Sequence, residues 1–560
     1  MSMDKKNAAT FVSLSDTNVS PFRTGLWRKS TPIFENRIAP CTDLCPCGEN
    51  IPAWMHLLSE GMIEDAWREC TKENPFPLIC GRVCYRFCEA KCNREGIDDK
   101  LSINAAERFL GEWAVTHGLR PVFPANGKGS GLSVAIVGGG PAGLSAAYRL
   151  RREGASVTIY DEREHLGGML RYGIPEYRLP KVLLERELDA MIGGIGIETR
   201  LGASVSVDVL KEIVASNDYV LFAHGAHRSR SMVDKNGKAL PFIDGLVFLA
   251  HAAAKWIKRF TESVRHVSVI GGGNTAIDVA RTALRLGAKQ VTVIYRRREE
   301  DMPAHRDEIA EARKEGVDFL FLALPTEVNR DDGGAVILTC VPVELRAQAE
   351  ERKVLPVPRT DLPFFFATDL AISAIGEETD WGFLGDGRHG FTDESDVEDG
   401  RFLATGDALT GPRSVSEAIA SGKKAADAIL ARYTKQTEGV KDCERVRRDE
   451  IKFWYLNPVR KDPRIANGKT LTREEFFAFG ETTVTISKED AIAEAARCIN
   501  CGTCISCDRC LVFCPDYAIL RNDDGSYDIN LDMCKGCGLC ADVCERGAIR
   551  FEKEKRNDNV

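Results

Sequence analysis

Ten of the chain's twenty cysteines are concentrated between residues 498 and 544, where their spacing is short and regular. Two residues separate most neighbours, and three residues precede the last member of each run. The first run is Cys498, Cys501, Cys504, Cys507, Cys510 and Cys514, and the second is Cys534, Cys537, Cys540 and Cys544. Thiolates spaced in this way can surround an iron–sulfur cluster, because a tight loop brings consecutive sulfurs to the same group.

The last four positions of the first run and all of the second run resemble a two-cluster bacterial ferredoxin. In that pattern, the first three cysteines of a run hold one cluster and the fourth holds the other cluster. Zinc ribbons instead pair one CxxC with another, so zinc fits these longer runs less well. Glu545 follows Cys544 where the pattern usually has proline, and this departure removes no ligand.

A glycine-rich turn lies between a buried strand and a helix near the start of the middle region. The strand LSVAIV runs into Gly138, Gly140 and Gly143, which form G-x-G-x-x-G, and a later apolar strand ends at Asp161. Such glycines let the backbone approach a pyrophosphate at the helix N-terminus, and the acid accepts hydrogen bonds from a ribose. The sequence therefore predicts a dinucleotide site in this segment.

The same unit recurs further along the chain as a G-x-G-x-x-A variant. Its predicted binding residues are Gly271, Gly273, Asn274, Thr275 and Ala276. The strand that follows, QVTVIY, ends in Arg296 and Arg297 where the first unit has an acid. Basic residues at this place suit the 2′-phosphate of NADPH better than NADH, and the alternative is a solvated basic loop.

Two further groups of residues carry a more specific resemblance. They are GGMLRYGIP (167–175) with LPK (179–181), and YRR (295–297) with MPA (302–304) and EGV (315–317). Together they resemble the glutamate synthase small-subunit family. That family includes the electron-input half of dihydropyrimidine dehydrogenase and the large subunit of bifurcating ferredoxin:NADP transhydrogenases. The resemblance covers about residues 35 to 435.

The resemblance implies FAD in the first fold, NAD(P)H in the second, and hydride transfer to the flavin N5. It adds Gly168 and Arg171 to the residues expected around FAD. In flavoproteins of this type, the segment at Gly406 and Asp407 returns to the first nucleotide site, and the aspartate binds the ribityl-pyrophosphate. No catalytic acid or base is expected, because hydride transfer needs stacking and positioning alone.

The same resemblance assigns the N-terminal cysteines. Cys45, Cys84 and Cys88 would hold one [4Fe-4S] cluster, with Glu107 as its fourth ligand, although Glu107 can also be read as a surface helix residue. In the relatives, the positions of Cys41 and Cys92 hold a second cluster together with an upstream CxxC. This chain has no cysteine before Cys41, so that cluster lacks two ligands.

Cys498 and Cys501 are two cysteines more than two C-terminal clusters require, and they form a CxxC of their own. We hypothesise that this pair completes a site with Cys41 and Cys92, which would give four clusters in all. The alternatives are that Cys47, Cys70 or Cys80 fills the missing positions, or that no cluster forms there.

The amino-acid composition of the chain argues against a nucleic-acid-binding protein and against a membrane protein. Hydrophobic content of 44% and charged content of 28% are ordinary for a soluble protein, and a net charge of -8 argues against a nucleic-acid partner. We find neither an apolar run of about 18 residues nor a signal peptide, so we expect no membrane span and a cytoplasmic protein.

The predicted fold class is α/β, with two Rossmann-like dinucleotide-binding domains, for FAD and NAD(P), between an N-terminal α-helical iron–sulfur domain and a C-terminal α+β bacterial-type ferredoxin domain. The expected boundaries are 1–128 for the helical domain, 129–250 and 372–435 for the FAD domain, 251–371 for the NAD(P)H domain, 436–490 for a linker and 491–560 for the ferredoxin domain.

The leading functional hypothesis is an NAD(P)H-linked electron-transfer subunit. It would exchange electrons with a partner redox protein or with the catalytic subunits of a larger complex, such as a 2-oxoacid oxidoreductase, and either direction of flow is compatible. One alternative is a self-sufficient NAD(P)H:ferredoxin or NAD(P)H:acceptor reductase, and another is the glutamate synthase small subunit. Disulfide-reductase chemistry is disfavoured, because no CxxC lies near the flavin.

Overall fold

The computed structural model describes residues 24–123, 127–234, 236–250, 264–330, 335–347, 354–384, 400–435, 444–453 and 463–554. Parts of the expected linker, residues 436–443 and 454–462, lie outside these ranges, as does Cys443. Within the described ranges, we find no helix with the length and apolar character needed to cross a membrane.

The N-terminal domain is a helical layer that begins after strand β1 (Ser30–Phe34). Its helices are α1 (Pro40–Leu44), α2 (Ile51–Ser59), α3 (Ile63–Cys70), α4 (Pro77–Val83) and α5 (Ile103–Thr116). Proline lies in the first turn of α1, α2 and α4, where its fixed φ favours the helix and its missing N–H has no cost. The cysteines expected to bind metal lie at or between the ends of these helices.

The first nucleotide-binding domain is built on a parallel sheet with strand order β17-β5-β2-β3-β4. Its strands are β2 (Ser133–Val137), β3 (Ser156–Asp161), β4 (Ile197–Leu201), β5 (Tyr219–Phe222) and β17 (Phe402–Ala404). Its helices are α6 (Pro141–Arg152), α7 (Met169–Tyr172), α8 (Lys181–Met191), α9 (Val207–Ser216), α13 (Asp407–Thr410) and α14 (Val415–Thr434). The central strand β2 is an apolar run buried almost throughout, as expected for a parallel strand covered on both faces.

The second nucleotide-binding domain has the parallel order β10-β9-β8-β15-β7. Its strands are β7 (Ile243–Asp244), β8 (His266–Ile270), β9 (Gln290–Tyr295), β10 (Asp318–Phe321) and β15 (Leu370–Ser373). Its helices are α10 (Gly245–Ala250), α11 (Asn274–Arg285) and α12 (Arg306–Lys314). The two parallel sheets confirm the predicted α/β fold class.

Two smaller sheets accompany the second domain. One is antiparallel and consists of β11 (Ala323–Arg330), β12 (Val336–Ala347), β13 (Val354–Pro358) and β14 (Phe364–Thr368). The other pairs β6 (Arg228–Ser229) with β16 (Glu377–Glu378), where the chain crosses between the domains. Strand β7 and the end of β15 pair within the second sheet, although the sequence division at residues 250 and 372 assigns them to the first domain. Strands of two residues carry too little pattern to be assigned from sequence.

The C-terminal domain contains α17 (Arg509–Val512), α18 (Leu539–Asp542), β18 (Ile519–Arg521), β19 (Tyr527–Ile529) and β20 (Ile549–Lys553), and it follows α15 (Arg473–Phe477) and α16 (Lys488–Ala496). Short 3-10 helices occur at Thr24–Trp27, Phe87–Lys91, Asn93–Gly96, Glu299–Asp301, Gly382–Leu384 and Arg448–Glu450. Strand β20 pairs antiparallel with β1, so residues from the N-terminal region complete a sheet of the C-terminal domain.

A buried ion network fixes helix α16 against the N-terminal domain. Arg497 donates to both carboxylate oxygens of Glu494, at 2.8 and 2.9 Å, and pairs with Asp98 at 3.1 Å. Arg94 pairs with the same Asp98 at 2.7 Å and donates to the Arg497 carbonyl at 2.8 Å. Because each charge has an opposite partner, the network can be buried without a large desolvation penalty.

The described part of the expected linker is not free of the domains. Arg108 of α5 donates to Thr485 at 2.8 Å and to Thr483 at 2.6 Å, and Ile486 is buried in the core of the helical domain. Residues that precede α16 therefore lie along the N-terminal domain, and they bring the first C-terminal cysteines to it.

We predict that Glu494→Ala will loosen helix α16. The substitution leaves the Ser102 and Ile465 amides without their acceptor and removes one of the two acids that pair with Arg497. The expected cost is about 3 kcal/mol of opening free energy, measured as faster amide hydrogen exchange across Lys488–Ala496. Glu489→Ala, on the exposed face of the same helix, is the control and should cost less than about 1 kcal/mol. Equal protection in the two variants would contradict this account.

Candidate functional site

A cavity of about 500 Å³ opens at the carboxyl ends of β2, β3 and β5. Several residues predicted to bind FAD line it, namely Gly138, Gly140, Asp161, Gly168 and Asp407. Ligands of parallel α/β sheets bind at this edge, outside the carboxyl ends of the strands. The cavity therefore lies where the sequence places the first nucleotide.

The glycine loop between β2 and α6 is shaped by close backbone contacts. A Cβ atom at Gly138, whose φ is +112°, would lie 2.3 Å from the Ala223 carbonyl oxygen, so only glycine fits there. The Asp161 carboxylate accepts a hydrogen bond from the Gly139 amide at 2.7 Å, and it thereby ties the end of β3 to the loop. Gly143 lies one turn into α6, packed against the Gly138 carbonyl.

Asp407 begins helix α13 directly after Gly406 and faces the cavity. Burial raises the pKa of its carboxyl group to about 6, and its Oδ1 accepts a hydrogen bond from the Arg413 amide at 3.1 Å. The Gly406 amide donates to Ser421 of α14 at 2.9 Å. This segment therefore returns to the first sheet beside the glycine loop.

Arg171 does not line the cavity. Its Nε donates to the Leu166 carbonyl at 2.8 Å, and its guanidinium pairs with Glu185 of α8 at 2.6 Å. Among the described residues, Arg171 thus stabilises the loop that contains Gly168. The position of the Arg171 side chain depends on α8, which follows it in sequence.

His224 is a cavity residue that sequence reasoning did not select. Both ring nitrogens are buried without a hydrogen-bond partner among the described residues, and Trp381 and Phe383 pack edge-on against the ring. Burial, and then the neighbouring His227, lower the pKa of His224 to about 4, so its imidazole is neutral at pH 7. A neutral ring facing the cavity offers one donor and one acceptor to a polar cofactor, which fits a dinucleotide.

The second glycine loop is placed in the same way at the carboxyl end of β8. Gly273 caps helix α11, which begins at Asn274. The Asn274 side chain accepts from the His305 amide at 2.9 Å, Thr275 donates to Glu377 at 3.3 Å, and Ala276 is buried. Gly271 follows β8 directly and packs against the Ala374 carbonyl. The predicted residues therefore lie together at one helix N-terminus.

The arginines after β9 differ in their partners. Arg298 pairs with Asp301 at 3.2 Å. Arg296 is exposed, and Arg297 is partly buried with an Nε that donates to no described acceptor. In the described part of the chain, neither Arg296 nor Arg297 pairs with a carboxylate, so both remain available to a phosphate.

Cys45, Cys84 and Cys88 lie together at the ends of the N-terminal helices. Burial raises the pKa of Cys84 to about 12, with the Glu107 charge as the next cause, and the charges of Cys45 and Cys84 contribute to the raised pKa of Cys88. Glu107 is buried, so the alternative interpretation of Glu107 as a surface helix residue is wrong. Cys45 also lies within 4.8 Å of ligand atoms of Cys47 and Glu49, so this site contains more donors than sequence reasoning assigned.

Glu107 and Glu49 form a buried acidic pair bridged by Asn74. The Asn74 amide donates to Glu107 at 2.7 Å and to Glu49 at 3.0 Å. Burial, followed by repulsion from Glu49, holds the pKa of Glu107 well above its usual range. A carboxyl group in this setting favours the protonated form unless a cation replaces the proton. Such a group is suited to bind a metal.

Cys41, Cys92, Cys498 and Cys501 line one small apolar pocket. Burial raises the pKa of Cys41 well above its usual value, and the charges of Cys498, Cys501 and Cys92 raise it further. Cys47, Cys70 and Cys80 do not line this pocket, and they make hydrogen bonds to Ser416, Glu49 and Asn74 respectively. The structure thus brings together the four cysteines that the sequence hypothesis joined.

The remaining C-terminal cysteines separate into two groups. Cys504, Cys507, Cys510 and Cys544 line one pocket, and Cys540 is surrounded by Cys514, Cys534 and Cys537. Each group therefore combines three cysteines of one run with the fourth of the other run. Glu545, at the place where proline is usual, pairs with Arg509 of α17 and so links the two halves of the domain.

Family profiles match three parts of the chain. Residues 132–422 match pyridine nucleotide-disulphide oxidoreductase, which is more than half of the sequence. The chain belongs to the pyridine nucleotide-disulphide oxidoreductase family. Residues 35–119 match dihydropyrimidine dehydrogenase domain II, 4Fe-4S cluster, and residues 527–550 match a 4Fe-4S binding domain. This oxidoreductase therefore depends on FAD, NAD(P)H and [4Fe-4S] clusters.

Curated relatives agree with the resemblance found in the sequence. The chain is 34% identical to the NADP(+)-dependent formate dehydrogenase subunit beta of Moorella thermoacetica, over 83% of this chain and 70% of that protein. It is 33% identical to the glutamate synthase [NADPH] small chain of Azospirillum brasilense, over 70% of this chain and 86% of that one. It is 38% identical to the NADPH-Fe(3+) oxidoreductase subunit beta of Geobacter sulfurreducens. The matched part spans 52% of the length of that protein. The resemblance to the glutamate synthase small-subunit family is confirmed.

The segment that matches pyridine nucleotide-disulphide oxidoreductase, residues 132–422, contains a single cysteine. Cys340 is the one cysteine between residues 132 and 422, and it is buried in strand β12. The matched segment therefore lacks the thiol pair that reduction of a disulfide would need.

We predict that replacing Arg296 and Arg297 together with alanine will raise the KM for NADPH roughly tenfold or more, because two unpaired cations near the 2′-phosphate are lost. The KM for NADH and kcat should change little. Arg298→Ala is the matched control, since Asp301 already neutralises that arginine. Steady-state dye reduction with each nucleotide measures the effect, and equal losses for NADPH and NADH would contradict the assignment.

Proposed function

We propose that this protein is the NADPH-linked electron-transfer subunit of a larger oxidoreductase. It would carry electrons between NADPH and a partner that lacks a nicotinamide site of its own. The observation that carries the proposal is a continuous series of thiol groups that leads from the flavin cavity to exposed cysteines of the C-terminal domain.

The series begins beside the flavin cavity. Ala418, in the first turn of α14, lines the cavity, and the neighbouring Ser416 accepts a hydrogen bond from the Cys47 thiol at 3.5 Å. Ser416 also contacts Cys84. The first group of N-terminal cysteines is therefore separated from the cavity by little more than the start of one helix.

The series continues toward the surface through neighbouring groups. Cys88 lies near Cys41, which belongs to the four-cysteine pocket. Three residues after Cys501, Cys504 opens the next group, and its amide donates to Asn36 at 3.0 Å. Cys504, Cys507 and Cys537 are exposed. Electrons could thus enter or leave at the C-terminal domain.

In this proposal, the chain's own residues bind and orient the nucleotides and keep the clusters away from water. The glycine loops and Asp407 hold the nucleotides, the unpaired arginines select the phosphate, and the buried thiols and Glu107 hold clusters in apolar surroundings. When bound, FAD exchanges a hydride with NADPH, and the iron–sulfur clusters carry the two electrons singly.

Exposed apolar side chains on the C-terminal domain support a protein partner. Val512 and Phe513, which lie between two cysteines of the first run, are 74% and 51% exposed, and Tyr517 and Leu520 are also exposed. Large apolar side chains grouped on a surface commonly mark a protein interface. The names of two relatives, each a beta subunit, agree with an assembly of this kind.

The decisive experiment is gentle anaerobic purification of the protein from its native source, with identification of every chain that co-elutes. A stoichiometric partner that contains its own catalytic cofactor supports the proposal. A chain that elutes alone and reduces free ferredoxin with NADPH would instead support a self-sufficient reductase, and an amidotransferase partner would support a glutamate synthase small subunit.

We predict that Phe513→Glu will weaken co-elution of the partner at least tenfold while NADPH-dependent dye reduction stays near the wild-type rate. A buried charge at an interface is costly, whereas the nucleotide sites lie in other domains. Phe365→Glu is the matched control, because Phe365 is 73% exposed on the antiparallel sheet. Loss of dye reduction in the Phe513 variant, or equal effects in both variants, would contradict the assigned surface.

A further inference from the structure

We propose that Cys41, Cys92, Cys498 and Cys501 together ligate one [4Fe-4S] cluster that joins the N-terminal domain to the C-terminal segment. This inference rests on the proposed function and deepens it, because it names a relay between the flavin-side cysteines and the ferredoxin domain. Cys498 and Cys501 lie outside both matched iron–sulfur segments, residues 35–119 and 527–550, so neither family match accounts for them.

The four thiols meet in a single enclosed place. They line a pocket whose other walls are largely apolar, including Ile51, Leu101 and Ile103. Cys92 and Cys501 are buried, and Cys41 and Cys498 are partly buried. Four cysteines that line one apolar pocket form a complete ligand set for a metal group that binds them as thiolates.

The N-terminal domain positions the Cys498–Cys501 pair from one side. Arg497, directly before Cys498, is held by Glu494 and Asp98, and its carbonyl accepts a hydrogen bond from Arg94 at 2.8 Å. Arg94 follows Cys92 by two residues, so the same contact fixes cysteines of both segments relative to each other. The Asn93 amide donates to the Cys501 sulfur at 3.5 Å, as a partner of a thiolate ligand would.

The segment before Cys41 positions the pair from the other side. The Arg37 amide donates to the Gly502 carbonyl at 2.9 Å, and a Cβ at Gly502 would lie 2.6 Å from the Arg37 carbonyl oxygen. Arg546 donates to the Ile499 carbonyl at 2.6 Å. The backbone on both sides of Cys501 is thus fixed by residues distant in sequence, and glycine at 502 is required for the close approach.

The residues around the four-cysteine pocket also carry positive charge, which suits an anionic iron–sulfur cluster with four thiolate ligands. Arg546 is a nearby cation, because its guanidinium donates to the carbonyl of Ile499, which lies between Cys498 and Cys501 in the chain. A second cation, Arg497, directly precedes Cys498. Hydrogen bonds and positive charge near the sulfurs stabilise a cluster and tune its potential.

Zinc is the competing occupant, since four cysteines that include a CxxC also suit a structural zinc ion. The cluster is favoured by position, because the pocket lies between the group at Cys88 and the group that begins at Cys504. A redox-inactive ion there would interrupt the series of electron carriers.

The test counts iron, acid-labile sulfide and zinc in the full chain purified without oxygen. The double variant Cys498→Ser with Cys501→Ser should lose about four irons and four sulfides per chain relative to the wild type, and one electron paramagnetic resonance signal of the reduced protein should disappear. Cys340→Ser, a buried cysteine of strand β12, is the matched control and should keep the wild-type content.

A second variant tests whether the two segments share one cluster. Cys41→Ser combined with Cys498→Ser should lose the same four irons as either substitution alone, because both residues hold the same group. Cys41→Ser alone and Cys498→Ser alone should each remove the same electron paramagnetic resonance signal, so the two segments can be compared even if the double variants do not fold. Retained FAD absorbance serves as the measure of folding.

Three results would overturn the inference: unchanged iron in the Cys498 and Cys501 variant, loss of zinc in place of iron, or loss of about eight irons when Cys41 and Cys498 are both replaced. These results are independent of the proposed partner. Co-elution of a catalytic subunit can succeed while the iron count contradicts the shared cluster, and the reverse can also occur.

Discussion

Helix α16 is held against the N-terminal domain by a set of buried charges, and most of the electron path depends on that contact. Glu494, Arg497, Asp98 and Arg94 neutralise one another where water is excluded. Removal of one member weakens the compensation of the charges that stay buried, so the contact is destabilised. The strand pair β1–β20 adds a second attachment. Through both, the C-terminal domain is placed beside the N-terminal cysteines rather than at the end of a loose linker.

Several buried thiols and one buried carboxyl lie where we propose that the iron–sulfur clusters bind. The pKa values of Cys41, Cys84, Cys498 and Glu107 are all raised, and burial is the main cause in each case. Burial disfavours the charged form of an isolated acid, whereas a cation in the same place favours it. In the flavin cavity, burial instead keeps the imidazole of His224 neutral, so that it can serve as a donor and an acceptor.

Much of the fold and of the candidate site could be predicted because the relevant patterns are local. The glycine loop at Gly138 and the acid Asp161 follow from one strand–helix–strand unit, and the cysteine runs follow from loop geometry. The place of Arg171 could not be predicted, because its side chain turns toward Glu185 on the next helix. The environment of His224 could not be predicted either, because Trp381 and Phe383, which pack against its ring, are distant in sequence. The ion pair between Arg497 and Asp98 joins residues that only the tertiary fold brings together.

The attachment between the two segments also has consequences for how the protein is made. Arg94 and Arg497, which fix the shared pocket, are 403 residues apart. During synthesis, Cys41 and Cys92 therefore leave the ribosome long before Cys498 and Cys501 exist, and also before Ile486, which belongs to the core of the helical domain. In that interval the early pair is an incomplete ligand set, exposed to oxidation and to unintended metals. On the shared-cluster proposal, that cluster can be completed only after the C-terminal segment has docked.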